Sequence, residues 1–370
     1  MKSNDSNRRP GIKEIAEALG ISIGTVDRAL HGRRGVKEKT QQQVLKMARQ
    51  LQYTPNLAAR NLKLNRRLRV GVFLPEQIAS FFDPLRAGIR SASQQATGAT
   101  IETVFHTYPR IGVDDIETME RSDWRSYDGV ILIPGNPARL SEIAQQAQEH
   151  NHPLIYVVTD APRVWRLASI AVESFVSGGL AAELLGQIVP ERGSVAAITG
   201  ERKILDHAEK LKGFAATLAT MCPHLQLLPA IESHESPEDA YEAVRSLLQR
   251  YPDLSGIYIS TANSLPVMRA LEECGRLGKV KVIATDLFPE LAHYIESGHI
   301  FASLHQRPFT QGKLALEFLT QYLVAGTAPP CVHRLAPHIV LRSNLPLFLD
   351  SLSPEEPADK AESSPKTRLP

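Results

Sequence analysis

Polar side chains stand at the ends of seven short β-rich runs, where they could hydrogen bond a polyhydroxylated small molecule. Carboxylate and amide groups accept or donate hydrogen bonds to neighbouring hydroxyls. One polar residue at a strand end is more often a turn or a cap, but seven of them favour a shared binding cleft. The seven are Glu76, Asn136, Asp160, Glu201, Asn263, Asp286 and Gln306.

The same residues give little support to an enzyme, which stays as an alternative. The chain has no HExxH, GxxxxGK[ST] or GxGxxG motif, and the strand-end carboxylates show no spacing that demands an acid–base pair. Cys222, Cys274 and Cys331 are far apart and include no CxxC pair, so we expect them to be small core residues. We therefore predict no catalytic residue, no cofactor and no metal site.

A regular alternation of strands and helices must position these polar residues. Runs such as LRVGVFLP and YDGVILIPGN alternate with amphipathic segments such as PLRAGIRSASQQAT and PEDAYEAVRSLLQRY. Alternating units predict parallel sheets covered by helices, and residues 68–350 are enough for two such lobes. Because ligands in this architecture bind beyond the carboxyl ends of the strands, the polar residues stand where a ligand is expected.

Charge separates a basic N-terminal segment from a mildly acidic remainder. Residues 1–69 contain 16 lysines and arginines against 5 acidic residues, whereas the other residues contain 26 against 35. A basic module joined to an acidic body is typical of a protein that binds a polyanion through one domain. A solvated basic arm is the alternative that charge alone leaves open.

Three short helices are predicted in the basic segment. The first carries an apolar stripe and ends at Gly20, and Ser22 can cap the second. A connection of about three residues makes these two helices cross steeply, which is the geometry of a helix-turn-helix. The third helix is predicted at about residues 38–51. The expected core residues are Ile12, Ile15, Ala16, Leu19, Val26, Ala29, Leu30, Val44, Leu45, Ala48 and Leu51.

The second helix presents a face that could read DNA bases. Arg28 can form two hydrogen bonds to guanine, Ile23 can contact a thymine methyl, and Asp27 can accept a hydrogen bond from cytosine. Asp27 could instead repel wrong sequences, or pair with a protonated His31 one turn later. Gly24 lies on the same face without a side chain. A solvent-facing helix residue is the alternative at each position.

The run IKEIAEALGISIGTVDRAL, continued by LQYTPNLAARNLK, resembles the DNA-binding headpiece and hinge helix of the lactose/galactose-repressor (LacI) family. The resemblance implies an all-α headpiece at residues 1–54, a hinge helix or linker at 55–67, and a homodimer that binds a palindromic DNA operator. In the family, the leucine matching Leu62 wedges into the minor groove. Together with the residue types, the resemblance assigns DNA contacts to Ser22, Ile23, Gly24, Thr25, Asp27, Arg28, His31, Thr40, Asn56, Ala59 and Leu62.

Residues 68–350 are similar to the effector domain of the same family and to ribose-type periplasmic sugar-binding proteins. The similarity lies in TDAP, HAEKLKGF, ISTAN, ATD and the G-x-I-x-A-S-x-x-Q pattern. It implies a two-lobed periplasmic-binding-protein-like fold of type I. It also implies effector contacts from Phe82, Asp83, Asp160, His207, Lys210, Asn263, Asp286 and Gln306.

The chemical class of the effector stays open at this point. Phe82 and Trp165 could cover the apolar face of a sugar. Lys210 stands where the family typically has arginine, and a lysine is a point donor rather than a planar fork. With His207 one turn away, a sugar acid or sugar phosphate is as compatible with the sequence as a neutral sugar or polyol.

These observations predict a ligand-responsive, sequence-specific DNA-binding transcriptional regulator, in the first instance a repressor. A transport-type sugar-binding protein on the same fold is a further alternative, which should have a secretion signal and lack the headpiece. The start MKSNDSNRRPGIK has no apolar signal core, and no apolar run approaches the ~18 residues of a membrane span. We therefore expect a cytoplasmic location, no membrane partner, and a disordered tail at residues 351–370.

Overall fold

The computed structural model describes residues 12–30, 36–51, 67–190 and 192–352. Contacts divide the chain into two units, and the second unit begins at Arg67. Nearly all of the predicted hinge segment and the tail after Leu352 lie outside the described residues, as do His31, Asn56, Ala59 and Leu62. Within the described residues, no helix is both long and apolar enough to cross a membrane.

The described part of the first unit contains three helices: α1 (Ile12–Leu19), α2 (Ile23–Leu30) and α3 (Glu38–Gln50). Their small core consists of Ile15, Ala16, Val26, Ala29, Val44 and Ala48. The prediction was wrong at Leu45, which is 37% exposed. Because consecutive helix residues point about 100° apart, Leu45 falls beside the stripe that Val44 and Ala48 define.

Gly20 and Ser22 build the tight turn between α1 and α2. Gly20 adopts the left-handed conformation with φ 63°, and the Ile21 N–H donates to the Ala16 carbonyl at 3.1 Å. This is the hydrogen bond of a Schellman cap, which ends a helix at a left-handed residue. Two residues later, Ser22 Oγ accepts from the Thr25 N–H at 3.1 Å and caps α2, as predicted.

The second unit has two lobes, each built on a β-sheet. The N-lobe sheet consists of β1 (Arg67–Pro75), β2 (Thr100–Tyr108), β3 (Gly129–Leu132), β4 (Leu154–Val157), β5 (Ala168–Val172) and β12 (Val332–Leu335). These strands are parallel and lie in the order β12-β5-β4-β3-β1-β2. Strands β3, β4 and β5 are buried at every position, which explains their continuous apolar sequences.

The helices of the N-lobe come from two distant parts of the chain. They are α4 (Ala79–Gln95), α5 (Asp115–Arg121), α6 (Pro137–Glu149) and α12 (Pro308–Ala325), with a 3₁₀ turn at Trp124–Ser126. Helix α12 packs against α4 and against β3, β4 and β5. The N-lobe core is therefore complete only when residues beyond 308 are added.

The C-lobe sheet consists of β6 (Ser194–Thr199), β7 (Gln226–Leu227), β8 (Ile231–Glu232), β9 (Leu254–Ile259), β10 (Lys281–Thr285), β11 (Ala302–His305) and β13 (His338–Val340). The order is β13-β11-β10-β9-β6-β7, with β8 also paired to β6 and with β13 antiparallel to β11. Its helices are α7 (Ser174–Ile188), α8 (Leu205–Met221), α9 (Pro237–Arg250), α10 (Ser264–Glu273), α11 (Pro289–Glu296) and α13 (Leu345–Leu352). This architecture confirms the predicted two-lobed α/β fold.

The chain crosses between the lobes three times: from β5 to α7, from β11 to α12, and from β12 to β13. The helices after the first two crossings have related sequences, SFVSGGLAAELLGQ and PFTQGKLALEFLTQ. Each also approaches its neighbour through glycine: a Cβ on Gly178 would lie 1.9 Å from the Lys210 carbonyl oxygen, and one on Gly312 would lie 2.1 Å from that of Leu85. The two lobes are therefore assembled around equivalent close helix pairs.

The three cysteines do not share one environment. Cys222 is buried at the end of α8 and packs in the C-lobe core, whereas Cys274 and Cys331 are exposed. The expectation of three core residues is therefore wrong for two of them. Cys274 follows the last residue of α10, and Cys331 immediately precedes β12, so both stand where the chain leaves or approaches the packed elements.

Candidate effector cleft and DNA-reading surface

A cleft lies between the lobes at the carboxyl ends of their strands, and its two walls differ in chemistry. The N-lobe wall is apolar and consists of Ile78, Phe81, Phe82, Ile111 and Val158. The C-lobe wall is polar and consists of Asp206, His207, Lys210, Glu235, Ser260, Thr261, Ala262, Asp286 and Gln306. The cavity between them measures about 40 Å³, so a monosaccharide can enter only if the walls move apart.

Lys210 is the centre of the polar wall. Its side chain is 1% exposed, and Nζ donates to Asp206 Oδ2 at 2.7 Å, to Gln306 Oε1 at 2.7 Å and to the Ser260 carbonyl at 3.4 Å. Burial raises the pKa of Asp206, but the charges of Lys210 and His207, together with hydrogen bonds from Lys210 and Ser174, outweigh burial and hold this pKa below its ordinary value. Asp206 is therefore an ionised partner for Lys210.

His207 and Glu235 form a second buried pair beside Lys210. His207 Nε2 lies 3.1 Å from Glu235 Oε1, and the Glu201 amide N–H donates to His207 Nδ1 at 3.0 Å. Burial raises the pKa of Glu235, although His207 and Lys210 act in the opposite direction. The other carboxylate oxygen, Glu235 Oε2, is buried and has no hydrogen-bond partner in the part of the chain that the structure describes.

Asp286 and Gln306 complete the polar wall. Asp286 Oδ2 accepts from Gln306 Nε2 at 2.8 Å, and Oδ1 accepts from the Gln306 backbone N–H at 3.2 Å. Burial raises the pKa of Asp286 to about 6, although Lys210 and the hydrogen bonds from Gln306 lower it. Gln306 stands at the second crossing between the lobes, so this wall continues into the hinge.

The backbone around the cleft is strained. Four lining residues have positive φ angles without being glycine: Ile78 (60°), Val158 (71°), Glu235 (58°) and Asp286 (68°). A left-handed conformation costs a non-glycine residue about 1 to 3 kcal/mol, and it is least favourable for β-branched side chains such as Ile and Val. Residues in such conformations cluster at binding sites, where the surrounding fold holds them in place.

Contacts between described residues join the lobes at the rim of the cleft. Gln77 Nε2 donates to the Glu235 carbonyl at 2.6 Å, and Arg110 Nη1 donates to the His234 carbonyl at 3.2 Å. Arg110 also lies 3.8 Å from Glu201 Oε1. These contacts involve no cavity-lining side chain from the N-lobe, and they hold the two walls together.

Five of the eight predicted effector residues lie together in this cleft: Phe82, His207, Lys210, Asp286 and Gln306. Asn263 follows Ala262, which lines the cavity, and its buried Nδ2 has no hydrogen-bond partner among the described residues. Asp83 and Asp160 are not among the cavity-lining residues. Asp83 is exposed and pairs with Arg86 at 2.8 Å.

Asp160 belongs to a separate ion cluster in the N-lobe. Its carboxylate accepts from Arg166 at 2.7 Å, Arg334 at 2.6 Å and the Ser169 hydroxyl at 2.8 Å. Arg334 lies on β12, next to the third crossing, so these contacts join distant parts of the N-lobe sheet. Trp165 likewise packs against the N-lobe core.

Sequence reasoning missed two acidic residues of the polar wall. Asp206 lies four residues before Lys210 on α8, and this spacing, which brings side chains together on a helix, was the available signal. Glu235 lies in the loop between β8 and α9, where neither periodicity nor a motif marks it. Only the folded loop brings Glu235 to His207.

The first unit presents an exposed face on α2. Ile23 is 53% exposed, and Gly24 and Arg28 are also exposed, whereas Val26 and Ala29 are buried on the opposite side. Asp27 belongs to α2, but its side chain lies outside what the structure describes.

The remaining described residues with predicted DNA contacts lie near the start of α2 or of α3. Ser22, which is exposed, and Thr25, which is half-buried, form the cap of α2, and Thr40 is half-buried in the first turn of α3. Gln41 Nε2 donates to the Ala29 carbonyl at 3.3 Å and fixes α3 against α2.

Comparison with known proteins finds a family match for each of the two units. Residues 11–56 match the model of the bacterial regulatory proteins of the lacI family, and residues 70–327 match the periplasmic binding protein domain. The crystal structure of GanP, a glucose-galactose binding protein from Geobacillus stearothermophilus, matches with a TM-score of 0.68 at 23% identity. That match covers 75% of this chain and 99% of GanP.

Among curated proteins, the transcriptional regulator CelR of Thermobifida fusca is 25% identical over 350 residues, which cover 92% of this chain and 99% of CelR. The probable transcriptional repressor ExuR of Bacillus subtilis is 31% identical over 153 residues, or 40% of this chain and 43% of ExuR. The chain therefore combines a DNA-binding domain of the lacI family of bacterial regulatory proteins, at residues 11–56, with a larger unit that belongs to the family of the periplasmic binding protein domain.

Proposed function

We propose that the protein is a dimeric repressor that binds a near-palindromic DNA operator and responds to a carbohydrate-like effector in the lobe cleft. The names of its relatives support this function, since CelR is a transcriptional regulator and ExuR a probable repressor. The match to CelR covers 92% of this chain, so it supports the proposed function for both units. A repressor of this kind acts on DNA in the cytoplasm.

The exposed face of α2 is the observation that carries the DNA-binding half of the proposal. A helix that buries Val26 and Ala29 while exposing Ile23 and Arg28 can enter the major groove without losing its core contacts. Its capped N-terminus also points a positive dipole outwards, which favours a nearby phosphate. Arg28 is the candidate for a two-bond contact to guanine.

The two-sided chemistry of the cleft supports a polyhydroxylated effector. A sugar ring has an apolar face, which suits the wall that contains Phe81 and Phe82, and hydroxyls at its edge, which suit a polar wall. Binding in the cleft would favour the closed arrangement of the lobes. A tenfold preference for one arrangement corresponds to about 1.4 kcal/mol per site, so modest differences in contact suffice for control.

The test is selected-sequence DNA binding and footprinting with the full-length protein, with and without glucose, myo-inositol, glucuronate and glucose 6-phosphate. We expect a protected palindrome whose affinity changes with an effector, and the sign of that change separates induction from corepression. Arg28→Ala should lose about 1 to 3 kcal/mol of specific binding, mainly at one base pair of each half-site.

The matched control is Lys46→Ala, which removes an exposed positive charge from α3 rather than from the face of α2. It should leave base preference unchanged. No protected site at moderate salt, or equal losses of specificity in both variants, would overturn the proposal.

A further inference from the structure

The buried charges of the cleft do not balance. Asp206, Glu235 and Asp286 are each at most 5% exposed, and Lys210 is the one lysine or arginine among the residues that line the cavity. Lys210 is already committed to Asp206 at 2.7 Å. Two carboxyl groups therefore share the cavity without a permanent positive charge of their own.

His207 is the second nitrogen-bearing side chain of this cluster and lies beside Glu235. Its Nδ1 lies 3.0 Å from the Glu201 amide nitrogen and 3.2 Å from the Glu201 carbonyl oxygen, so the backbone of Glu201 holds the ring. Its Nε2 lies 3.1 Å from Glu235 Oε1. His207 therefore faces one oxygen of the Glu235 carboxylate and leaves the other, Oε2, to a ligand.

The fold holds Glu235 in this position at a cost. His234 and Glu235 both adopt left-handed conformations, with φ of 50° and 58°. A Cβ at residue 200 would lie 1.8 Å from Glu235 Oε1, so only Gly200 leaves room for the carboxylate. Gln77 from the opposite lobe donates to the Glu235 carbonyl at 2.6 Å. Yet Glu235 Oε2 keeps no partner among the described residues.

A ligand with an ammonium group fits both the charge and the hydrogen-bonding needs of this arrangement. A buried carboxylate is stabilised by a cation that also donates hydrogen bonds, and an ammonium group supplies both. An anionic ligand would add a negative charge to a cavity that already has an excess of them. A neutral sugar could donate a hydrogen bond to Oε2 but would leave the excess of three carboxyl groups over the single lysine unchanged.

We infer that the cleft selects a sugar or polyol that carries an ammonium group, and that Glu235 Oε2 binds this ammonium. The inference rests on the proposed function of the cleft as the effector site. It deepens that proposal by placing the effector among the amino sugars and amino polyols, and it sets acids and phosphates aside.

Calorimetric titration of the full-length protein at pH 7.5 tests the inference with matched probes. Glucosamine, galactosamine and mannosamine are each compared with the parent hexose and with the N-acetylated sugar, which has the same skeleton without the charge. Glucuronate and glucose 6-phosphate represent the anions. We expect at least one amine to bind tenfold or more tightly than both of its neutral counterparts, and the anions to bind weakest.

Two variants locate the effect. Glu235→Gln keeps the shape of the side chain and removes its charge, so the preference for the amine should fall by a factor of ten or more. Glu209→Gln removes the same charge on the outer side of α8, the helix that carries His207 and Lys210. Glu209 pairs there with Lys212, so this variant should leave the preference unchanged.

The outcomes separate this inference from the proposed function. If neutral or anionic sugars bind and alter operator affinity while the amines show no advantage, the regulator stands and the inference is overturned. The inference is also overturned if no amine binds, or if Glu235→Gln retains the preference. A protein that binds no operator overturns the proposed function, whatever the titrations show.

Discussion

Lys210 and Asp206 line the cavity, and both charges are buried. They form the only described ion pair among the lining residues that contains a lysine or arginine. Lys210→Met leaves Asp206 without that cation, and breaking a buried pair in this way costs about 3 to 5 kcal/mol. We expect a loss of this size in the free energy of unfolding, measured by urea denaturation. The double variant Asp206→Asn with Lys210→Met should recover a large part of the loss.

Lys212→Met provides the comparison, because Lys212 lies on the same helix in an exposed pair with Glu209. Exposed pairs contribute little to stability. A loss in Lys212→Met as large as that in Lys210→Met would show that helix disruption, rather than a stranded charge, is the cause.

Asp286 should give the second unit a stability that depends on pH. Burial raises the pKa of Asp286 to about 6 from the ordinary 3.8. Between these values the folded protein holds a proton that the unfolded chain releases, so the free energy of unfolding falls as pH rises from about 4 to about 6. The contribution of Asp286 is on the order of 2 to 3 kcal/mol in all.

Asp286→Asn removes this titration, and the difference between wild type and variant is read from urea denaturation at several pH values. We expect the variant to gain stability relative to the wild type across that interval and then to keep a constant difference at higher pH. A difference that does not change between pH 4 and pH 6 would contradict the assignment of the titrating group.

Gly24 marks a place where a side chain fits. A Cβ added to Gly24 would meet nothing closer than Ser22 Oγ at 3.9 Å, and alanine is favoured over glycine within a helix by about 1 kcal/mol. Gly24→Ala should therefore fold with equal or higher thermal stability and change the preferred operator sequence. An unchanged set of selected sequences would place Gly24 away from the bases.

The site residues divide into those that local patterns reveal and those that they cannot reveal. Phe82, His207, Lys210, Asp286 and Gln306 follow strands or share a helix, so strand-end position and family resemblance indicated them before the fold was known. Glu235 reaches the cavity through a strained loop. Asp160 instead accepts a hydrogen bond from Arg334, on a strand more than 170 positions later in the chain. Such long-range contacts leave no periodic signal in the sequence.

The close pairs of helices depend on glycine at their crossing points. A Cβ on Gly178 would lie 1.9 Å from the Lys210 carbonyl oxygen, and the backbone of α8 cannot move away without shifting Lys210 itself. Overpacking at such a contact costs about 1 to 3 kcal/mol. We expect Gly178→Ala to lose stability by this amount in thermal unfolding and to weaken effector binding.

The adjacent Gly179→Ala is the control for this element. Its Cβ would approach only the Thr217 hydroxyl, at 3.0 Å, and a side-chain hydroxyl can rotate aside. Equal destabilisation by the two substitutions would mean that α7 tolerates no alanine in this turn. The close contact between Gly178 and α8 would then not be the cause of the lost stability.

The strands and helices were largely predictable from the sequence, because buried elements contain characteristic runs of apolar residues. The run LRVGVFLP covers all of β1 except Arg67, YDGVILIPGN contains β3, and the amphipathic PEDAYEAVRSLLQR is α9. The pairing of β12 with β5 and of β13 with β11 was not predictable, because those contacts join strands far apart in the chain. Local sequence specifies elements better than it specifies their neighbours.

At the scale of the whole second unit, Arg110 should influence how readily the lobes close. It is the N-lobe partner of both the His234 carbonyl and Glu201 at the rim of the cleft. Arg110→Ala should lower the closed fraction of the ligand-free protein, seen as a larger radius of gyration in small-angle scattering. It should also weaken effector binding about in proportion to the lost closed population.

Arg121→Ala is the control for Arg110→Ala, because Arg121 pairs with Asp114 within the N-lobe. It removes the same charge without touching the other lobe, and its radius of gyration should match that of the wild type. If Arg110→Ala is equally compact in the absence of effector, the rim contacts do not set the closure of the lobes.

The three crossings between the lobes also determine when the protein can fold during its synthesis. The N-lobe lacks α12 and its edge strand β12 until residue 335 has been made, and the C-lobe lacks β13 until residue 340. Domains in general fold as units in the order of their synthesis. Here neither lobe can complete its sheet before the other is almost fully synthesised. A nascent chain that stops shortly after residue 300 would therefore expose incomplete sheet edges in both lobes. We expect chaperones to bind such a chain late in synthesis, when nearly all of both lobes has been made.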